Sequence, residues 1–378
     1  MTNALRIKPR PTRKIKIGDH YIGADEPILI QSMCATKTQD IDATVQQVEQ
    51  LYRAGAGLIR LAVDSKKDVE ALAQIRRQTK ANLVIDLQEN YQLIEDVAPY
   101  VQKVRYNPGH LYHTQTEVAV KDKVKFIVKI ARDFDLALRI GVNFGSLDPN
   151  NKEKENPWQS ALTTTYEHCD YMEGMGFERY CISLKSSDPQ AVVTLNREFA
   201  KNYLHVPVHL GVTEAGMLPD AEIKSRMAFE PLLTEGIGDT LRVSITIANE
   251  QKDQEVVVAE KIIADVIAGR LTDFSKYNFA GLNVISCPSC SRVENHVFVK
   301  LAQEVRTALS FAQNEKLTIA VMGCRVNGPG ETDHADLGLW CAPKFVNLKR
   351  GSNLIGQFAY DEVIPKLVEE VKNFLRAT

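Results

Sequence analysis

The stretch LIRLAVDSKKDVEALAQIRRQTKANLVIDL, residues 58–87, decides the fold class. It opens with a short apolar run, continues through a segment of helical periodicity with a polar face, and ends in a second apolar run. A strand, a helix and a strand in this order form a right-handed crossover between parallel strands. The same alternation along the chain predicts strands at 27–33, 58–63, 83–87, 103–107, 137–142, 180–185, 207–212 and 240–245.

Eight such units match the size of a (β/α)8 TIM barrel, which we predict over residues 1–270. A doubly wound open sheet is the alternative, and the count of eight favours the barrel. Residues 255–269 have the pattern of the last barrel helix, with Gly269 just past its end. The basic residues 1–18 are expected to form a short disordered arm that leads into the first strand.

A smaller α+β domain is predicted over residues 281–378, after a linker. It opens with the strand NVIS at 283–286, which leads directly into two cysteines. A helix is expected over 293–311, a second strand over 316–323, and a closing helix over 361–378.

Composition excludes several classes of protein. Lysine and arginine total 46 against 48 acidic residues, so no bulk attraction to nucleic acid or to an anionic membrane is expected. No apolar run is long enough to span a bilayer, and the N-terminus lacks the apolar core of a secretory signal. The seven cysteines, an odd number in a large chain, argue against a disulfide framework and favour a cytoplasmic protein.

The predicted strand ends are rich in polar and cationic residues, and barrel enzymes place their chemistry at these ends. The carboxylates available there, Asp86, Glu214 and Asp239, are too few to neutralise five cationic groups. Such a site is expected to bind a phosphate-type anion, one diphosphate or two phosphates. The candidate binding residues are Arg60, Asp86, Arg105, Asn107, Arg139, Asn143, Lys185, His209 and Arg242.

Three cysteines at the exits of the small domain's two strands form the second candidate site. Cys287 and Cys290 lie in the sequence CPSC, and Cys324 opens the glycine-rich run CRVNGPGE. A structural zinc ion with Cys341 as fourth ligand, a redox-active dithiol and a 4Fe–4S cluster with three thiolate ligands all remain open. The spacing favours the cluster.

Several motifs carry a resemblance to a known family. CPSCSR at 287–292 and GCRVNGPGE at 323–331 resemble the signature pair of the 4-hydroxy-3-methylbut-2-en-1-yl diphosphate synthases, iron–sulfur enzymes of the non-mevalonate isoprenoid pathway. The likeness extends through the barrel in the same order, with QSM at 31–33, RYNPG at 105–109, RIGVNFGSL at 139–147, HLGVTEAG at 209–216 and EGIGDTLRVS at 235–244.

The resemblance implies a TIM barrel followed by a domain that holds a 4Fe–4S cluster on Cys287, Cys290 and Cys324, with Glu331 as an unusual fourth ligand. It implies reductive ring opening and dehydroxylation of 2-C-methyl-D-erythritol 2,4-cyclodiphosphate, with electrons from flavodoxin or ferredoxin. Glu331 and Glu214 are the catalytic candidates it suggests. It also implies a head-to-tail homodimer, in which the cluster domain of one subunit covers the barrel of the other.

Two departures from the family pattern stand out. Gln88 occupies a position where the family often has histidine, and the run GLWCAPKF places Trp340 and Cys341 where the family usually has a glycine-rich turn. Two rival hypotheses remain: a non-redox enzyme resembling dihydropteroate synthase with a zinc staple, and a cluster-bearing scaffold protein without catalysis.

Overall fold

The computed structural model describes residues 10–87, 90–143, 147, 156–277, 280–324, 326 and 328–377. The chain forms two compact units. The first comprises residues 1–213, 222–243 and 249–272, and the second comprises 214–221, 244–248 and 273–378.

The first unit alternates strands and helices. Its strands are β1 (Ile15–Ile17), β2 (His20–Ile22), β3 (Leu29–Met33), β4 (Leu58–Ala62), β5 (Leu83–Leu87), β6 (Lys103–Tyr106), β7 (Ala137–Asn143), β8 (Tyr180–Lys185), β9 (His209–Leu210) and β10 (Thr240–Leu241). Its helices are α1 (Ile41–Arg53), α2 (Lys66–Gln78), α3 (Ile94–Val97), α4 (Val120–Asp133), α5 (Pro157–Gly174), α6 (Pro189–Asn202), α7 (Asp220–Thr234) and α8 (Gln254–Ile267). Single 3-10 turns flank α3.

Strands β3 to β10 form one parallel sheet that closes into a barrel. The order within the sheet is β8-β7-β6-β5-β4-β3-β10-β9. A parallel bridge between Ile182 and Val208 joins the two ends, and the amide of Ile182 donates to the carbonyl of Pro207 at 3.1 Å. The prediction of a TIM barrel is therefore confirmed, and the open doubly wound sheet is excluded.

The unit 58–87 folds as its pattern predicts. Ser65 begins α2 with a capping box, in which its hydroxyl accepts from the amide of Asp68 while the Asp68 carboxylate accepts from the amide of Ser65. Val69, Leu72 and Ile75 lie on the buried face of this helix. The capping box and the buried apolar face thus both stabilise α2, the helix that connects β4 to β5.

An antiparallel hairpin of β1 and β2 precedes the barrel, so the expectation of a disordered arm was wrong for residues 15–17. Ile15, Ile17 and Ile22 alternate with polar residues and pack into one buried cluster with residues such as Leu58 and Val84, near the amino ends of their strands. The basic flanking residues hid this short strand, because three residues give too little alternation to detect. The hairpin covers the end of the barrel opposite the carboxyl ends.

The last two barrel strands are shorter than predicted. β9 and β10 each keep only two residues, whereas six had been expected at 207–212 and at 240–245. The chain stays near the barrel beyond them, since the amide of Arg242 donates to the carbonyl of Leu210 at 3.0 Å. Residues 214–221 and 244–248, which follow these strands, belong to the second unit.

In the described residues of the second unit, a mixed sheet is accompanied by three α-helices. Its elements are β11 (Asn283–Ser286), α9 (Phe298–Ala308), β12 (Thr318–Met322), α10 (Gly328–His334), β13 (Leu337–Cys341), β14 (Val346–Arg350), β15 (Asn353–Phe358) and α11 (Val363–Ala377). Strands β11, β12 and β13 are parallel, and β13, β14 and β15 are antiparallel. The predicted α+β class is confirmed, although β13 to β15 and α10 were not anticipated.

Alternation along β13 separates the two faces of this sheet. Leu337, Leu339 and Cys341 are fully buried in the apolar core of the unit. Gly338 and Trp340 face α10, because a Cβ at Gly338 would overlap Thr332 and the indole of Trp340 lies against Gly328. Helix α10, which carries Glu331, is therefore seated on the face opposite the apolar core.

Candidate functional site

The barrel strands carry a group of buried cationic side chains. Arg60 lies on β4, Arg105 on β6, Arg139 on β7 and Lys185 at the end of β8, while Arg242 directly follows β10. All except Arg60 are at most 8% exposed. The structure therefore brings these predicted residues together on one barrel.

Arg105 is fixed by two contacts. Its Nη1 donates to Oδ1 of Asp86 at 2.9 Å, and its Nη2 donates to the carbonyl of Gly141 at 2.8 Å. A Cβ at residue 141 would overlap the guanidinium of Arg105, so only glycine leaves room for this side chain. The Asp86 carboxylate thus holds the guanidinium of Arg105 in place, and its negative charge also acts on Arg139.

Arg139 keeps unused hydrogen-bonding capacity. Its Nη1 donates to the hydroxyl of Ser183 at 2.7 Å, but Nε and Nη2 are buried with no hydrogen-bond partner. Burial lowers the pKa of Arg139 well below its usual value, and the neighbouring Arg60 and Arg105 lower it further. A charged group held in this way gains from an anion that accepts from its two remaining donors.

Lys185 and His209 form a second pair. Nζ of Lys185 lies 3.1 Å from Nε2 of His209, and Nδ1 of His209 contacts the hydroxyl of Thr240. Burial, and then the nearby Lys185 and arginines, holds the pKa of His209 well below 6.5. Both effects favour the neutral imidazole, whose Nε2 can accept a hydrogen bond from Nζ of Lys185 while Nδ1 donates to Thr240. A Cβ at Gly211 would overlap Lys185, so this glycine also makes room for a cation.

Arg242 has a carboxylate partner that the sequence did not reveal. Glu255 on α8 accepts from Nε and Nη2 of Arg242 at 3.2 and 3.1 Å. It also accepts from Lys252 at 2.8 Å and from the hydroxyl of Ser32 at 2.9 Å. The expectation that only three carboxylates serve the strand ends was wrong, because a helix of the outer ring supplies a fourth. Glu255 thereby neutralises part of the positive charge.

Two further contacts involve Asp239, which holds backbone, and the sulfur of Met33, which accepts from Arg60. Asp239, fully buried, accepts from the hydroxyl of Thr12 at 3.1 Å and from the amide of Val208 at 2.7 Å. Nε and Nη2 of Arg60 lie 3.1 and 2.9 Å from the thioether sulfur of Met33, which is a weak acceptor. Asp239 thus holds Thr12 and the backbone of Val208.

The two asparagines differ in their surroundings. Asn107 caps a 3-10 turn, since its Oδ1 accepts from the amide of Gly109 at 3.2 Å. Asn143 ends β7, and its Oδ1 is buried with no hydrogen-bond partner. Gln88, the position that departs from the family pattern, lies outside the described residues.

The three predicted cluster cysteines meet in the second unit. Cys287 and Cys324 are buried, and Cys290 is partly exposed. The pKa of the Cys287 thiol is raised well above its usual value, first by a hydrogen bond with Cys324, then by burial and by Cys290 and Glu214. Three sulfur atoms from two strand exits therefore lie close enough to interact.

The two predicted carboxylates belong to the same unit. Glu331 lies in α10 and is 7% exposed, while Glu214 is 3% exposed. The backbone carbonyl of Glu214 accepts from the amide of Ser286 at 3.2 Å, directly before Cys287. The hydroxyl of Thr246 bonds to the carbonyl of Cys287 at 2.9 Å and holds the same segment.

Three thiols and a buried carboxylate in one unit are a donor set of the kind that an iron–sulfur cluster uses. Within the described ranges, no group of three or more His, Cys, Asp or Glu side chains has the geometry of a site for a single metal ion. A cluster distributes its ligands over several irons, whereas zinc requires four ligands around one point. Cys341, which a zinc site would need, lies fully buried in the apolar core, where its thiol contacts Tyr360.

Lys103 was not singled out from the sequence. It lies on β6 two residues before Arg105, is fully buried, and its Nζ has no hydrogen-bond partner. Burial lowers its pKa to about 8, and Arg139 and Arg60 also lower it. A lysine in an otherwise apolar strand, spaced by two from a candidate arginine, is the signal that could have identified it.

Comparisons with known proteins show the family to which the chain belongs. The profile of the GcpE TIM-barrel domain matches residues 12–260, and that of the GcpE protein C-terminal domain matches residues 283–373. The chain belongs to the GcpE family. A Rhodopirellula baltica relative, named 4-hydroxy-3-methylbut-2-en-1-yl diphosphate synthase (flavodoxin), is 53% identical over the full length of both chains. A Nautilia profundicola protein of the same name is 37% identical, with 97% of this chain and 99% of the relative covered.

Solved structures resemble part of this chain. Dihydropteroate synthase from Stenotrophomonas maltophilia aligns with a TM-score of 0.50 at 11% identity, and covers 69% of this chain and all of its own. At this identity the likeness shows a shared barrel fold and nothing of the reaction. The described part of this GcpE-family chain contains no helix long and apolar enough to cross a bilayer.

Proposed function

We propose that this GcpE-family oxidoreductase carries out the reaction named for its relatives, the formation of 4-hydroxy-3-methylbut-2-en-1-yl diphosphate. The substrate in our proposal is 2-C-methyl-D-erythritol 2,4-cyclodiphosphate, whose ring is opened and whose hydroxyl is removed with two electrons. The observation that carries this proposal is that Cys287, Cys290 and Cys324 interact in one unit, beside the buried Glu214.

The barrel would bind the cyclic diphosphate. Arg139 offers two buried donors that have no protein partner, and Arg105 is already held in place by Asp86. Burial lowers the pKa of Lys185 well below its usual value. A phosphate oxygen beside its ammonium group would raise that pKa again and favour the charged form. Arg60 and Arg242 would add charge, while Asn107, Asn143 and His209 would orient the hydroxyls of the substrate.

Cys287, Cys290, Cys324 and Glu331 would hold a 4Fe–4S cluster. When bound, this group supplies electrons one at a time and one iron with an oxygen ligand. Glu331 would be the fourth ligand, a carboxylate that binds iron less tightly than a thiolate. Glu214, buried beside Cys287, would hold or release a proton near the reacting carbons.

We further propose a cytoplasmic homodimer that is reduced by flavodoxin or ferredoxin. Flavodoxin is the donor printed in the names of the R. baltica and N. profundicola relatives. The family resemblance supports a head-to-tail arrangement, in which the cluster domain of one subunit serves the barrel of its partner.

Replacement of Glu331 by alanine tests the ligand assignment. The three thiolates should retain most of the iron and sulfide, and turnover should fall by about a hundredfold or more, because one iron loses its positioned ligand. Glu315→Ala, on an exposed turn of the same unit, is the matched control and should keep wild-type turnover. Anaerobic iron and sulfide analysis with a turnover assay gives both quantities. Wild-type turnover in Glu331→Ala would remove this residue from the ligand set.

Replacement of Arg139 by methionine tests the anion site. The apparent affinity for the cyclodiphosphate should fall at least tenfold, because two buried donors are lost. Arg197→Met removes an arginine that is 40% exposed and paired with Glu235 on the surface, and should leave affinity unchanged. Calorimetric titration with the cyclodiphosphate measures both. An unchanged affinity in Arg139→Met would contradict the anion-site assignment.

A further inference from the structure

Ser289 occupies an unusual backbone position between two of the cluster cysteines. Its φ is +69°, a value that L-residues with side chains rarely adopt. Pro288 precedes it, so the pair follows the pattern of a type II turn, in which the second central residue needs a positive φ and is usually glycine. This chain keeps a side chain at a position where glycine would relieve the strain.

The hydroxyl of Ser289 is a buried donor with no acceptor among the described residues. The residue is 1% exposed, and its Oγ has no hydrogen-bond partner. The turn around it is fixed at both ends, since the amide of Cys287 donates to the carbonyl of Val321 at 3.2 Å and the amide of Val293 donates to that of Cys290 at 3.0 Å. A buried hydroxyl in such a rigid turn is costly unless a bound group accepts from it.

Trp340 supplies a second donor of this kind. A Cβ at Gly328 would lie 3.0 Å from Cδ1 and 3.2 Å from Nε1 of the indole, so the glycine admits this edge of the ring. The amide of Gly328 donates to the carbonyl of Cys324 at 3.1 Å, which closes the turn between Cys324 and the helix of Glu331. Nε1 is buried and has no partner, although an indole N–H can only donate.

We propose that Ser289 Oγ–H and Trp340 Nε1–H donate hydrogen bonds to sulfur atoms of the cluster and raise its reduction potential. The inference rests on the proposed function, since it needs a cluster at these cysteines. Reduction adds negative charge to the sulfur atoms, and a donor stabilises the reduced form more than the oxidised form. Through these hydrogen bonds, Ser289 and Trp340 set how readily flavodoxin or ferredoxin can reduce the enzyme.

The test measures the reduction potential of the full-length protein by anaerobic titration followed by electron paramagnetic resonance. Ser289→Ala and Trp340→Phe should each lower the potential, by an amount up to a tenfold change in the reduction equilibrium constant, or about 59 mV for one electron. Ser289→Gly should lower it equally, because it removes the hydroxyl while it suits the positive φ. Ser289→Thr retains the hydroxyl and should stay near the wild-type potential.

Ser291→Ala is the matched control, since this partly exposed serine lies on the other side of Cys290 and should not shift the potential. Unchanged potentials in Ser289→Ala, Ser289→Gly and Trp340→Phe, at full iron content, would overturn the inference.

A measurement on the unaltered protein covers the case in which a variant fails to fold or to hold iron. Electron–nuclear double resonance of the reduced wild-type cluster should show couplings to exchangeable protons that disappear in D2O. Their absence would overturn the inference while the proposed function survives. Wild-type protein that contains no iron and sulfide would instead overturn the proposed function, and this inference with it.

Discussion

Two glycines show how single residues shape the barrel site. Gly141 and Gly211 lie on or directly after barrel strands, where the missing side chains leave space for Arg105 and Lys185. A long cation can cross the interior of a barrel only if a small residue faces it. The cationic site therefore depends on residues that carry no chemistry themselves.

Gly141→Ala is expected to weaken cyclodiphosphate binding at least tenfold while the barrel still folds. The new Cβ overlaps Nε, Cγ and Cζ of Arg105, so the guanidinium must leave its contacts with Asp86 and the carbonyl of residue 141. Calorimetric titration gives the affinity, and circular dichroism checks the fold. Gly174→Ala is the matched control, since a Cβ there meets nothing within 4 Å. Equal affinities in the two variants would contradict this role of Gly141.

Because His168 is buried with a lowered pKa, we expect the free energy of unfolding to fall in acid. It is fully buried, its Nδ1 lies 3.0 Å from the hydroxyl of Tyr106, and burial lowers its pKa to about 3. The unfolded chain, with a histidine pKa near 6.5, binds more protons below that pH, so stability falls as the pH decreases from 6.5 towards 3. The loss attributable to this one group between pH 6.5 and 5 is on the order of 1–2 kcal/mol.

Denaturant unfolding of wild type and of His168→Gln at several pH values checks this prediction. The variant should lose less stability than wild type as the pH falls. Parallel curves for wild type and His168→Gln would show that His168 is not the titrating group.

At the residue scale, the sequence predicts which side chains approach the site but not how they pair. Arg60, Arg105 and Arg139 lie on barrel strands as predicted, because the apolar runs around them mark those strands. The expectation that they lie at the carboxyl ends was wrong for Arg60 and Arg139, which are the middle residue of β4 and the third residue of β7. It missed Glu255 as the partner of Arg242, because that carboxylate comes from a helix whose rotation is set by tertiary packing. Ion pairing between elements leaves no local pattern in the sequence.

At the element scale, the N-terminal hairpin covers the end of the barrel at which the strands begin. Ile17 and Ile22 are nearly or fully buried, while Tyr21 between them is 40% exposed. This alternation is that of a strand pair with one face on a core. Without the hairpin, residues at the amino ends of the barrel strands such as Leu58 and Val84 would lose their cover.

Ile17→Ala is expected to destabilise the protein by about 2–5 kcal/mol, because it removes buried methyl groups and leaves a cavity. Tyr21→Ala should cost roughly 0.5 kcal/mol or less, since its side chain is exposed. Thermal unfolding followed by circular dichroism gives both values. Equal midpoints for the two variants would mean that the hairpin contributes little to the barrel.

The elements differ in how well the sequence predicts them. Strands β5 and β8 have the predicted bounds, because their apolar runs end sharply at polar residues. β9 and β10 are shorter, since the chain after them pairs with other segments of the second unit, as in the bridge of Ala215 with Ser286. Strand β15, with Leu354 and Ile355 exposed, lacks the apolar face that reveals a strand.

At the scale of the whole molecule, the proposed head-to-tail dimer makes a prediction about mixtures. Cys324→Ser should abolish the cluster, and Arg139→Met should weaken cyclodiphosphate binding at least tenfold, so at a substrate concentration well below the wild-type KM each variant alone has little activity. If the cluster of one subunit serves its partner's barrel, a mixed dimer contains one intact site. Re-association of equal amounts should then restore about a quarter of wild-type activity, since half the dimers are mixed and each has one site of two.

The complementation experiment has a clear control. Mixing Cys324→Ser with Cys287→Ser should restore nothing, because no intact cluster site exists in any pairing. No recovery in the Cys324→Ser and Arg139→Met mixture, with subunit exchange verified by mass spectrometry, would show that each cluster serves its own barrel or that no dimer forms.

The central claim is that Cys287, Cys290, Cys324 and Glu331 hold a cluster that reduces a cyclic diphosphate bound in the barrel. The most direct measurement is an anaerobic turnover assay of the purified full-length protein with 2-C-methyl-D-erythritol 2,4-cyclodiphosphate and reduced flavodoxin. The account predicts the linear allylic diphosphate as product, with two electrons consumed for each molecule formed. Iron-loaded protein that binds the cyclodiphosphate but forms no linear product would contradict it.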